Sequence, residues 1–74
     1  MSNPWGLTPR QLEAARLASF YTFEEMGKRM GVSPRTAKAL TDRARRRMDV
    51  KSKREVGRLL AEQGLLIETE GGSE

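Results

Sequence analysis

The chain has 74 residues, 36% of them hydrophobic and only four aromatic. That is enough for one small domain with a thin core and too little to enclose a large buried active site. It carries no Cys and no His, which excludes disulfides, thiol nucleophiles, imidazole bases and the usual zinc ligands together. The net charge of +4 is unevenly spread: residues 28–58 hold twelve Lys and Arg against three acids, while residues 1–27 and 59–74 are net negative. Such concentration is the electrostatic footprint of a polyanion binder.

Residues 1–6 read as a flexible arm, because Pro4 and Gly6 oppose helix; Trp5 is placed at the edge of the core. A first helix is predicted over about 9–19. Thr8 caps it, Pro9 takes its first position, Gln11 closes a capping box, and Leu7 and Leu12 form a hydrophobic staple. Its apolar side is read as Leu12, Ala15, Leu17, Ala18 and Phe20. The same grammar recurs for a second helix over 23–30, with Thr22 as cap, Glu25 in the box, and Tyr21 and Met26 as staple. Glu24 and Glu25 lie at the positive end of the helix dipole, so capping explains them better than acid/base chemistry. Phe23, Met26 and Met30 face inward, and Gly31 ends the helix.

Ser33 and Pro34 start a third helix, predicted over 34–48. Ala37, Leu40, Ala44 and Met48 form its apolar stripe. Arg35, Ala39, Asp42 and Arg46 lie opposite, flanked by Lys38 and Arg43. A linker anchored by Val50 leads to a fourth helix over 53–63. Ser52 caps it with Glu55 as box partner, Val56, Leu59 and Leu60 form its apolar side, and Gly64 stops it. The triplet Leu65-Leu66-Ile67 follows, and residues 68–74 read as a disordered acidic tail.

Residues 22–48 thus have the shape of a helix-turn-helix, with residues 7–67 as the domain that carries it. Gly31 permits the sharp turn, and Gly27 offers a minimal side chain where the two helices approach. In the major groove, Arg35 and Lys38 suit guanine O6 and N7, Asp42 a cytosine amino group, and Ala39 a thymine methyl. Asp42 has an equal alternative, ion pairing along the helix with Lys38 and Arg46. Ser33, Thr36, Arg43, Arg46, Arg47, Lys51, Lys53 and Arg54 are placed for backbone phosphates. Leu60, Leu65, Leu66 and Ile67 are the candidate dimer or partner contacts.

The segments L-T-P-R at 7–10, E-E-M-G-K-R-M-G-V-S at 24–33, T-A-K at 36–38 and R-R-R-M-D-V-K-S-K-R-E-V at 45–56 together resemble the LuxR/GerE-type DNA-binding domain over about residues 7–66. The resemblance implies an all-α, four-helix, winged-less helix-turn-helix fold. It also implies a transcription regulator that binds double-stranded DNA as a homodimer through helix 4, with Thr36 and Lys38 on the DNA. Two positions depart from the family: its recognition-helix valine falls on Ala37 and its frequent histidine on Leu40, which leaves the target sequence open. The loop between helices 1 and 2 is one residue shorter than usual. T-F-E-E-M-G-K-R-M-G-V-S with R-A-R-R-R-M is also similar to region 4 of sigma factors, but the capped helix at 52–63 favours the first family. Met1 lies six residues before Leu7, which leaves no room for a sensor domain and fits a stand-alone, GerE-like regulator or a fragment.

The expected function is therefore sequence-specific DNA binding in transcription regulation. The alternative is a small adaptor that engages RNA polymerase or another regulator, with Trp5, Leu65, Leu66 and Ile67 as contacts. An enzyme, a metal site and a cofactor are not expected. No run approaches the roughly 18 apolar residues of a membrane span, M-S-N-P-W-G is neither basic nor followed by an apolar region, so a signal peptide is not expected, and the lack of Cys fits a reducing cytoplasm.

Overall fold

Each helix begins where a hydroxyl side chain takes over a backbone N–H that the helix leaves without a partner. The computed structural model describes residues 3–66 and contains α1 (Pro9–Ala18), α2 (Phe23–Met30), α3 (Pro34–Met48) and α4 (Lys53–Glu62), with no strand among the described residues. The hydroxyls of Thr8, Thr22, Ser33 and Ser52 accept from the N–H groups of Gln11, Glu25, Thr36 and Glu55, as the spacing predicts. Thr8 and Thr22 form reciprocal capping boxes with Gln11 and Glu25. The Thr22 backbone N–H, more than any other group, holds the Glu25 carboxyl below its ordinary value of 4.5. The expected box at Ser52 is shifted by one residue: Glu55 Oε1 accepts from the N–H of Lys51 at 3.0 Å.

Left-handed residues stop the middle helices. Gly31 sits at φ 72° after α2, and Asp49 adopts φ 58° after α3, the only non-glycine there among the described residues. Both ends close backbone bonds of the kind expected at such caps: Val32 N–H donates to Gly27 O at 2.9 Å and Val50 N–H to Arg45 O at 3.2 Å.

The core has two parts that share α1 and α3. One joins Leu7, Ala15, Ala44, Met48, Val56 and Leu60, with Trp5, Leu12, Leu65 and Leu66 packed against it. The other joins Ala14, Ala18, Met26, Met30 and Ala37 under Tyr21, Phe23, Val32 and Leu40. The inner face of α1 is nearly all alanine, so α3 lies close to it, and methionines fill the irregular space between the helices.

Several expectations change here. Leu60 is fully buried, 0% exposed, packed between α1 and α3 rather than offered to a partner. Phe20, assigned to the apolar side of helix 1, is 56% exposed, because α1 ends at Ala18 and the chain turns outward. The stripe of α3 runs through Thr41 rather than Leu40. Thr41 is 1% exposed, Leu40 only half-buried. The Thr41 hydroxyl tolerates burial because it donates to Ala37 O at 2.9 Å. Leu65 and Leu66 are half-buried against the first core cluster. Ile67 and the acidic tail lie outside the described residues.

The N-terminal turn is tied down at several points. Asn3 Oδ1 accepts from the N–H groups of Trp5 and Leu7, and its amide donates to Leu7 O. Trp5 covers the first core cluster.

Candidate nucleic-acid interface

The angle between α2 and α3 is fixed by backbone. A Cβ built on Gly27 would lie 2.6 Å from Val32 O and 3.2 Å from Pro34 N. Only a glycine lets α2 rest on the turn that launches α3. The expected close approach is therefore real, and it is to the turn itself.

From that turn α3 projects one face outward. Ala37, Thr41, Ala44 and Met48 are buried, while Arg35, Thr36, Lys38, Ala39, Arg43, Arg46 and Arg47 are exposed and Asp42 is half-buried. Arg35, Ala39, Arg43 and Arg46 lie along the outer side, and among the described residues no ion pair or side-chain hydrogen bond holds these three arginines. Their fork-shaped donors remain open to an external acceptor.

Asp42 is engaged from two sides. Lys38 Nζ donates to Oδ2 at 3.1 Å and Arg45 Nη2 to Oδ1 at 3.3 Å. The second partner is Arg45, three residues on, and not Arg46 as the spacing suggested. These bonds, that of Lys38 foremost, hold the Asp42 carboxyl below its ordinary value of 3.8 against a partial loss of solvent. Arg45 was not singled out by the sequence, yet it joins this triad to the linker: its Nη1 donates to Lys51 O at 3.4 Å. An acid three residues before an arginine on one helix was the available signal.

The expected phosphate ligands divide into open and occupied groups. Arg43, Arg46, Lys51 and Arg54 are exposed. Ser33 Oγ is occupied as the cap and also donates to Thr36 Oγ1 at 3.0 Å. Arg47 reaches back to Gly6 O at 3.3 Å. Lys53 turns toward α2, with Nζ 4.6 Å from the Phe23 ring centre and 3.5 Å from Tyr21 O. Arg29 stacks on Tyr21, 4.0 Å from the ring centre.

Among the described residues no group of His, Cys, Asp or Glu could hold a metal ion, and no helix is long and apolar enough to cross a membrane. In comparisons with protein-family models, curated proteins and solved structures, the chain matches none of them.

Proposed function

We propose that the domain is a sequence-specific double-stranded DNA-binding transcription regulator that lays α3 in the major groove. The observation that carries this reading is the outer face of α3: Arg35, Arg43 and Arg46 stand in a row, exposed and unpaired among the described residues, on a helix aimed by the contact of Gly27 with Val32. A helix fixed at one angle and charged along its free side fits the width of the major groove and the phosphates on either side.

Arg35 and Ala39 face base edges, with Lys38 and Asp42 beside them as a linked pair. Arg43, Arg46, Lys51 and Arg54 clamp phosphates, with Thr36 and the start of α3. The order of four helices, the turn at Gly31 and the capped α4 support a LuxR/GerE-type domain over a sigma region 4, whose pattern ends near the close of helix 3. A cytoplasmic location follows from that role.

Selection from random duplex DNA tests the proposal. An enriched motif whose affinity falls steeply with salt is the expected result. If no sequence is enriched at moderate salt while RNA polymerase co-purifies, the adaptor reading replaces it.

A further inference from the structure

Lys38 and Asp42 stand one turn apart on α3, and their ion pair sets a donor and an acceptor side by side. Lys38 Nζ lies 3.1 Å from Asp42 Oδ2. An ammonium carries three N–H donors and a carboxylate oxygen two lone pairs, so the bond uses one of each. Among the described residues no other hydrogen bond engages Nζ or Oδ2. Two donors and one acceptor site therefore remain, and both side chains are reachable, at 60% and 31% exposed.

Arg45 holds this pair from the other side. Its Nη2 donates to Asp42 Oδ1 at 3.3 Å and its Nη1 to Lys51 O at 3.4 Å. A planar guanidinium tied at both prongs restrains the carboxylate it grips, so Asp42 does not swing freely with Lys38. Two cations on one carboxylate also offset the repulsion it would otherwise meet from DNA phosphates.

The edge of a base pair offers the matching arrangement. Across each pair an exocyclic amino group bonds to a carbonyl oxygen, so a donor and an acceptor lie about 3 Å apart in the major groove. They are guanine O6 with cytosine N4, or thymine O4 with adenine N6. The atom beside the carbonyl decides between them. Beside guanine O6 lies N7, a second acceptor for the ammonium. Beside thymine O4 lies the methyl group, which leaves an ammonium donor without a partner.

We infer that Lys38 and Asp42 read a single G·C pair as one unit. Nζ donates to guanine O6 and N7, Oδ2 accepts from cytosine N4, and Arg45 is the positioning residue that keeps the acceptor in place. This assignment rests on the DNA-binding reading of α3 and names the base pair that this part of the helix selects.

Selection from random duplex DNA with the wild type and its variants tests it. The wild type is expected to enrich a motif with a fixed G·C pair at which Lys38→Ala and Asp42→Ala each lose about tenfold of the discrimination against T·A. The double variant Lys38→Ala/Asp42→Ala should lose no more there than either single one, because the two side chains act together. Replacing that guanine with 7-deazaguanine, which lacks N7, should weaken binding by the wild type but not by Lys38→Ala. Arg45→Ala should lower the ratio of G·C to T·A affinity at the same position, with the slope of log affinity against log salt unchanged. A phosphate ligand would lower that slope, and a merely structural residue would leave the ratio alone. All variants are expected to keep wild-type helix content by circular dichroism. If no motif is enriched, the assignment falls together with the DNA-binding reading. If a motif is enriched but the two substitutions relax different base pairs, or none, the assignment alone is overturned. It is overturned equally by a preference for any other pair at the shared position, or by an Arg45→Ala variant that weakens all sequences alike.

Discussion

The α-carbon of Gly27 faces the carbonyl oxygen of Val32 so closely that an added Cβ would stand 2.6 Å from it. The obstacle is backbone, with no rotamer to swing aside. Gly27→Ala gains about 1 kcal/mol of helix propensity and loses more by forcing α2 off the turn, where overpacking typically costs about 1–3 kcal/mol. A net destabilisation is expected, lowering the melting temperature by several degrees. Gly57 is the control. Its added Cβ would meet Ser19 Oγ at 2.6 Å and Ser19 Cβ at 3.3 Å, and the hydroxyl can rotate away. Thermal unfolding should show Gly57→Ala to be the milder change.

Asp49 and Gly31 test conformation without contacts. Asp49 holds φ 58° without glycine's freedom, so Asp49→Gly should stabilise the domain by up to about 1 kcal/mol. Gly31, at φ 72°, has no atom within 4 Å of a built Cβ. Gly31→Ala should nonetheless cost about 1 kcal/mol from backbone strain alone. Denaturant melts of the two variants are expected to move in opposite directions.

The acid side of the stability profile should carry a contribution from Asp42. Its carboxyl is more acidic folded than unfolded, so its stabilisation is complete above 3.8 and lost as pH falls through the lower folded value. Asp42→Asn should cost under about 1 kcal/mol at neutral pH, because the pairs are partly exposed. The gap between variant and wild type should close below about pH 4. A gap that persists in strong acid would show that the ion pairs are not its source.

Among the basic residues, binding to duplex DNA should distinguish the open from the occupied. Arg43→Ala, Arg46→Ala and Arg54→Ala should each lower the slope of log affinity against log salt by about one. Lys53→Ala should change that slope less and lower thermal stability more, since its ammonium rests on Phe23 and Tyr21. Fluorescence anisotropy at several salt concentrations, beside thermal melts, reads both effects.

The starts of all four helices were legible because capping is local. Thr8, Thr22, Ser33 and Ser52 each act on an N–H three residues ahead, and no tertiary information is needed to see it. Burial was legible only in part. Thr41 enters the core as a polar residue because its hydroxyl finds Ala37 O within the same helix, which an apolar periodicity passes over. Phe20 leaves the core because the chain turns after Ala18, and hydrophobicity alone points the other way. Leu60 was assigned to a partner because which side of α4 meets α1 and α3 is set by packing. At the candidate interface the outward residues of α3 followed from their spacing. The diversion of Arg47 to Gly6 and of Lys53 to Tyr21 joins residues 41 and 32 positions apart, and no local pattern encodes such distances.

The outer face of α3 holds two kinds of residue with different evolutionary freedom. Arg35, Ala39, Arg43 and Arg46 are exposed and owe nothing to the interior, so each can be exchanged without disturbing the fold that presents it. Lys38 and Arg45 both hold Asp42, so a change at any of the three alters the setting of the others. On the proposed DNA-binding reading, single steps at the first group shift target preference with no cost to the fold, while each step at the second group also carries a small loss of stability.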